Sequence, residues 1–339
     1  MRKISAILLL VFLFTFTSCH YEGNYSTTAI PQESIDFTLV AKQVGTTGNE
    51  IVNGTTCGNI TFGSGRFAYK DGFIYFADWD TIYEYDLQSK VVISFLLDNP
   101  VHLFCGLSIT DTHVSYVSNG LHSVTRDGKH EETVLWNEKM RTQCFADGNE
   151  VFYLDGIGGN LFCYNTQEAV ERKLIENVNG YFVTNDKVYA IAKNEKSQWA
   201  LYVCDRAAYM FSEIQLSFQP IAVYVKGEEV YLAQRGAPYS IVKYVDGTET
   251  ILPIGSCYFQ TLGENVLFLD DTEYSNSTFP LKSYNVKTGE IQLLCEKVYD
   301  FCILENRYVC CMCLDGRNLF IVIDMYTDTV TDMLPEPEG

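Results

Sequence analysis

The sequence predicts an all-β fold in which one four-stranded antiparallel unit recurs. Three observations predict it. Beyond the first twenty residues, apolar residues come in runs of four to seven, rich in β-branched and aromatic types, with no stretch suited to a helix of ten or more. These runs recur with a period of 39 or 40 residues. Turn-forming residues punctuate them at matching places.

The first unit shows all four strands, as Arg66–Tyr69, Phe73–Asp78, Ile82–Asp86 and Val91–Leu97. The third strand gives the clearest alignment. Ile82 matches Leu121, Leu161, Leu201, Ile241, Leu281 and Phe320. Three residues further on stand Tyr85, Val124, Tyr164, Cys204, Tyr244, Tyr284 and Ile323. Turn formers follow at Asp86, Asn165, Asp205, Asn285 and Asp324. The second strand also recurs, from Gly72–Asp78 through Glu150–Asp155 to Arg307–Met312, with looser spacing. Asp127-Gly128, Asp246-Gly247 and Thr288-Gly289 mark turns between third and fourth strands, and Asn119-Gly120 signals a type I′ turn between second and third.

A period near 40 also suits helical repeats, but the run lengths exclude them. Four strands per unit at this period predict a seven-bladed β-propeller, with six blades as the alternative. The blades are expected at about 64–98, 99–138, 139–177, 178–218, 219–255, 256–296 and 297–334. Each blade packs on its neighbours, so near-continuous apolar strands are expected. Residues 37–63 form an N-terminal extension that packs on an edge or covers the channel, and 335–339 a tail.

The first residues, Met1 to His20, pair a basic start at Arg2 and Lys3 with an apolar run from Ile4 to Phe16, short for a membrane span. The run ends in Phe16-Thr17-Ser18-Cys19, which resembles a bacterial lipobox. Residues 1–18 then read as a lipoprotein signal peptide, Cys19 as the lipidated residue and 19–36 as a polar tether. Two acyl chains on Cys19 would anchor the chain in a bacterial membrane or envelope, facing outside the cytoplasm.

The formal net charge is −19 and no basic stripe offsets it, which argues against nucleic acid as a partner. Eleven cysteines follow Cys19. Cys105, Cys144, Cys257 and Cys302 sit in short apolar runs and read as buried thiols. In the Cys310–Cys313 stretch, Cys311 and Cys313 share one strand face while Cys310 takes the other, and no CxxC pair exists, so no zinc site is expected.

Catalytic patterns are sparse. Gly106-Leu-Ser108-Ile-Thr110 lacks the second glycine of a nucleophile elbow. His102, His113, His122 and His130 all fall in the second unit, whereas an axial metal cage would draw on several. They read as surface histidines, with His122 opposite Val117 across the turn. Carboxylates such as Asp78, Asp80, Glu228, Glu229, Asp270, Asp271 and Glu273 sit at strand ends or turns and read as solvated. No cofactor and no metal are expected.

Loops between second and third strands commonly line one rim of a propeller channel. Here they carry Trp79, Trp199, Arg235, Tyr239, Tyr274 and Phe279. Aromatic and Arg side chains on loops suit recognition of a peptide or glycan. Trp79, Trp199, Arg235, Tyr239 and Tyr274 are the candidate ligand-binding residues. The alternative for each tryptophan is that it covers its own blade.

The stretch Gly58–Lys90 also resembles bacterial secreted propeller lipoproteins of unknown function, a family similar to the propeller of LDL-receptor-related proteins. Those blades carry a Tyr-Trp-Thr-Asp strand, of which Tyr75-Phe76-Ala77-Asp78 keeps the Tyr and the Asp. The resemblance implies extracellular recognition and brings no catalytic residue. The expected function is a membrane-anchored, monomeric binding or scaffold module for an extracellular protein, peptide or glycan. The alternatives are a glycosidase- or lyase-type propeller with channel carboxylates, and an envelope-assembly scaffold that grips partners by strand addition.

Overall fold

The structure is a computed structural model that describes residues 55–101, 106–118, 120–136, 144–156, 159–236, 239–273, 277–314, 318–327 and 329–334. All of them belong to the second of two units into which contacts divide the chain, residues 35–339. A short helix, α1 (Cys57–Thr61), precedes the strands.

Every sheet is built from consecutive antiparallel strands. The first holds β1 (Phe67–Lys70), β2 (Phe73–Asp78), β3 (Thr81–Asp86) and β4 (Val92–Leu96). The second holds β5 (Ser108–Ile109), β6 (His113–Val117), β7 (Gly120–Thr125) and β8 (Glu131–Trp136). The third holds β9 (Cys144–Asp147), β10 (Glu150–Leu154), β11 (Leu161–Asn165) and β12 (Val170–Ile175). The fourth holds β13 (Val178–Val183), β14 (Lys187–Lys193), β15 (Trp199–Asp205) and β16 (Met210–Gln215). The fifth holds β17 (Pro220–Lys226), β18 (Glu229–Gln234), β19 (Ser240–Val245) and β20 (Thr248–Leu252). The last has seven strands: β21 (Phe259–Leu262), β22 (Asn265–Leu269), β23 (Phe279–Asn285), β24 (Ile291–Leu304), β25 (Tyr308–Leu314), β26 (Asn318–Asp324) and β27 (Thr329–Asp332).

The seven-strand sheet corrects one expected boundary. A break was expected at 296/297, yet β24 runs through it. Lys297 takes φ 55° and the register shifts between Val298 and Asp300. One left-handed residue thus bends the strand, and the ladder continues without a loop. Between β12 and β13, Asn177 takes φ 56°, but there the two strands stay in separate sheets.

The repeat has a hydrogen-bond counterpart. The residue after the third strand of a unit donates its N–H back to the turn before the second strand. Leu87 reaches Gly72, Arg126 Thr112, Thr166 Asn149, Arg206 Asp186, Val286 Glu264 and Met325 Arg307, at 2.7–3.1 Å. The preceding turn formers cap locally: Asp86, Asn165, Asp205, Asn285 and Asp324 each accept from a backbone N–H two or three residues on.

The sheets pack face to face. β1 lies against β5 on one side and β24 on the other, so the first sheet meets the last. That seam is aromatic: Phe320 meets Phe67 at 6.1 Å and Phe76 at 4.8 Å, and Tyr69 stacks on Tyr308. Among the described residues no strand is shared across it. Tyrosine hydroxyls inside the sheets find carboxylates, with Tyr75 donating to Glu84, Tyr116 to Glu131 and Tyr153 to Glu171.

His122 departs from its expected place. It is 1% exposed and sits opposite Tyr116, on which it stacks at 5.4 Å. The second sheet is covered on both faces, so β7 is buried along nearly its whole length. The ring nitrogens reach Ser118 O at 2.8 Å and Thr133 Oγ1 at 3.4 Å. The cysteine alternation holds: Cys311 and Cys313 join one apolar cluster, Cys310 and Cys302 another.

Candidate functional site

The middle of the ring is occupied by the chain itself. Thr56 caps α1 in extended conformation, its side chain accepting from Asn59 N at 3.3 Å. The helix lies against β9, β13, β17 and β24. Asn59 pairs with Ile303 like a strand neighbour, donating Nδ2–H to its carbonyl and accepting its N–H, both at 2.9 Å. Phe62 packs edge-on to Tyr224 and Phe259. Beyond the helix, Leu107 N donates to Gly65 O at 2.8 Å. Residues 55–66 therefore cross from the end of β13, where Cys57 meets the Val183 backbone, to the start of β5. The described part of the N-terminal extension fills the channel.

Asp300 is the buried carboxylate of this region, 6% exposed. It accepts Ser64 N at 3.0 Å and the Ser64 hydroxyl. Burial pushes its pKa up, and those two bonds offset this only in part. The plug thus uses Asp300 as a structural acceptor.

A cavity of about 320 Å³ opens beside the plug, at the end where first strands turn into second strands, between the fourth and fifth sheets. Phe182, Tyr189 and Cys57 give it apolar wall, and Asp186, Lys187 and Glu228 stand in its polar rim. The sequence reading had no signal for it, because it forms only where the plug meets two turns. Beside it, Arg206 ties the third sheet to the fourth, with Nη1 on Asp147 at 2.6 Å and Nη2 on Glu150 at 2.5 Å.

The opposite end carries the turns between second and third strands, and with them the candidate ligand residues. Trp79 stands in the β2–β3 turn at φ 50° and is 69% exposed. A left-handed tryptophan is strained, on the order of 1 kcal/mol. The turn is held nonetheless, because Val101 N donates to Trp79 O at 2.6 Å and Leu97 N to Asp80 O at 2.7 Å. Trp199 opens β15, is half-buried and packs on the core, with Lys193 Nζ 5.1 Å from its ring. Arg235 is exposed, its N–H held by Gln219 O at 2.9 Å. Tyr239 is half-buried just before β19. Arg235 and Tyr239 thus share one turn, Trp199 sits on the adjoining sheet, and Trp79 belongs to the first sheet. Tyr274 and Cys19 lie outside the described residues.

Tyr258, next to Cys257 in a short apolar run, carries no site signal in the sequence. It is 46% exposed and within electrostatic reach of Cys257, Asp300, Tyr299 and Tyr239. Asp271, on the neighbouring turn, is pushed up by burial and by Asp270. Among the described residues no three His, Cys, Asp or Glu side chains are grouped to hold a metal ion.

No known protein family matches the chain, and no curated protein matches it in sequence. Solved structures do. The β-propeller domain of the trilobed protease from Pyrococcus furiosus superposes with TM-score 0.58 at 11% identity, covering 80% of this chain and 97% of that one. A puromycin-hydrolyzing peptidase of Mycobacterium tuberculosis gives 0.56 at 10% identity, over 84% of this chain and 56% of that one. The N-terminal domain of Nup159 gives 0.52 at 13%, over 84% and 96%. These likenesses show the fold: the chain is a β-propeller. The Pyrococcus domain is described as having an open velcro topology.

Proposed function

We propose that this propeller is a binding module, lipid-anchored through Cys19 outside the cytoplasm, that recognises a protein, peptide or glycan on the rim of second-to-third-strand turns. Seven blades are part of the proposal, with β24 serving as outer strand of the sixth and inner strand of the seventh. The observation that carries the reading is Trp79. A large aromatic is held 69% exposed on a strained turn pinned by two backbone bonds. Such a side chain contributes little to the core and is pre-organised for contact. The channel supports the same reading, because the plug occupies it and engages Asp300. The module is proposed to act as a monomer.

The test is a glycan array and an envelope pull-down with the wild-type chain, then with Trp79→Ala. Affinity for the captured ligand should fall by about 2 kcal/mol, while the free energy of unfolding changes by no more than the ~0.5 kcal/mol usual for a surface substitution. Unchanged affinity would remove Trp79 from the site. Anchoring is tested separately: Cys19→Ala should abolish incorporation of a labelled fatty acid, and wild-type labelling of that variant would refute it.

A second reading has its own observation. The outermost strands end their sheets and expose apolar side chains, with Leu96 of β4 74%, Met210 of β16 71% and Ile251 of β20 66% accessible. Open edges of this kind suit a scaffold that gains partners by strand addition.

A further inference from the structure

We propose that Cys295 and Cys313 are a disulfide-forming pair, a covalent modification site that closes across the bend of β24 when the folded chain meets a thiol oxidant. Their sulfurs are 3.8 Å apart. Cys295 lies before the bend, opposite Leu281 of β23, and Cys313 lies on β25 opposite Val298, just after it. The left-handed residue Lys297 folds the strand so that the two thiols face each other. A bond of about 2.05 Å is then within reach of side-chain rotation.

Access and reactivity are divided between the two. Cys295 is half-buried and open to a reagent, while Cys313 is 5% exposed. The Cys313 thiol hydrogen-bonds Cys295 and lowers its pKa. Burial pushes other thiols the opposite way, Cys144 and Cys163 to about 12 and Cys204 and Cys257 to about 11. Because the thiolate is the nucleophile, Cys295 reacts first.

The step balances as thiol–disulfide exchange. The Cys295 thiolate attacks an exchangeable disulfide, such as oxidised glutathione, and expels one thiol. Cys313 loses its proton and attacks the Cys295 sulfur of the mixed disulfide, expelling the second thiol. Two S–H bonds are lost and one S–S bond forms, and the oxidant takes up both electrons and both protons. The bridge ties the sixth four-strand group to the seventh, on the strand they share.

The experiment equilibrates the full chain with oxidised glutathione and maps its peptides without reduction. Cys295 should be linked to Cys313, with the chain lighter by two hydrogens. The linked protein should melt roughly 5 °C higher than Cys295→Ser under the same oxidant, with the gap closing on reduction. Cys313→Ala removes only the buried sulfur, and in it Cys295 should stop at the mixed disulfide with glutathione. Two free thiols after equilibration, a wild-type chain that also stops at the mixed disulfide, or a bridge from Cys295 to another cysteine would each overturn the proposal.

Discussion

Asp300 shows how one buried group gives the molecule a pH signature. Burial raises its folded-state pKa above the unfolded value, against the pull of Ser64. A raised carboxylate costs stability as it ionises. The cost is absent below the unfolded pKa of roughly 4 and grows as pH rises through the folded value. Asp300→Asn cannot ionise, so its stability deficit should be smaller at pH 7 than at pH 4, read from denaturant midpoints at both. Glu150 carries the opposite sign. Burial raises its pKa, but bonds from Tyr209 and Arg206 outweigh this and leave it lowered. It stabilises above the unfolded carboxylate range, and that contribution is lost as pH falls through its lowered value. Neither sign was legible in the sequence. Asp300 and Ser64 are 236 residues apart, and only packing brings them together. Trp79 was legible as a turn residue, but its exposure was not, since Trp199, also placed between second and third strands by the repeat, is half-buried.

At the scale of elements, α1 is the informative case. Five residues cannot hold a helix alone, so its order comes from the walls around it. Gly58 marks the tightest approach: a Cβ there would stand 2.4 Å from the Tyr224 ring and 3.4 Å from Phe182. Gly58→Ala should therefore cost about 2 kcal/mol by overpacking, measured by chemical denaturation. A neutral result would mean that the plug is loosely seated. The strands tell the reverse story. Their order, turns and caps follow from local chemistry, as Asp86 and its four counterparts show, and the sequence alone places them well. The bend of β24 was missed because a single left-handed lysine carries no turn signal.

For the whole molecule, the decisive feature is a ring closed by packing. Phe320 meets Phe67 and Phe76 across the seam between the last sheet and the first. It is fully buried. Phe320→Ala should cost about 4 kcal/mol, and hydrogen exchange should rise first in β1 and β26, the strands that carry Phe67 and Phe320. If exchange rose evenly over all sheets instead, the seam would not be the weak point. With no strand shared across it among the described residues, apolar burial and aromatic contact hold this joint there.

The sequence by itself determined the all-β class, the four-strand unit, the chain order of the strands and the turns that cap them. These follow from hydrophobic period and local backbone preference, which are read over a few residues. Only the tertiary structure decided that residues 55–66 plug the ring, that His122 is buried, that Cys295 faces Cys313, and which aromatics reach solvent. Each depends on segments far apart in sequence meeting at the centre or at a seam. A repeat cannot encode such meetings, because it describes each unit alone and not what the units enclose.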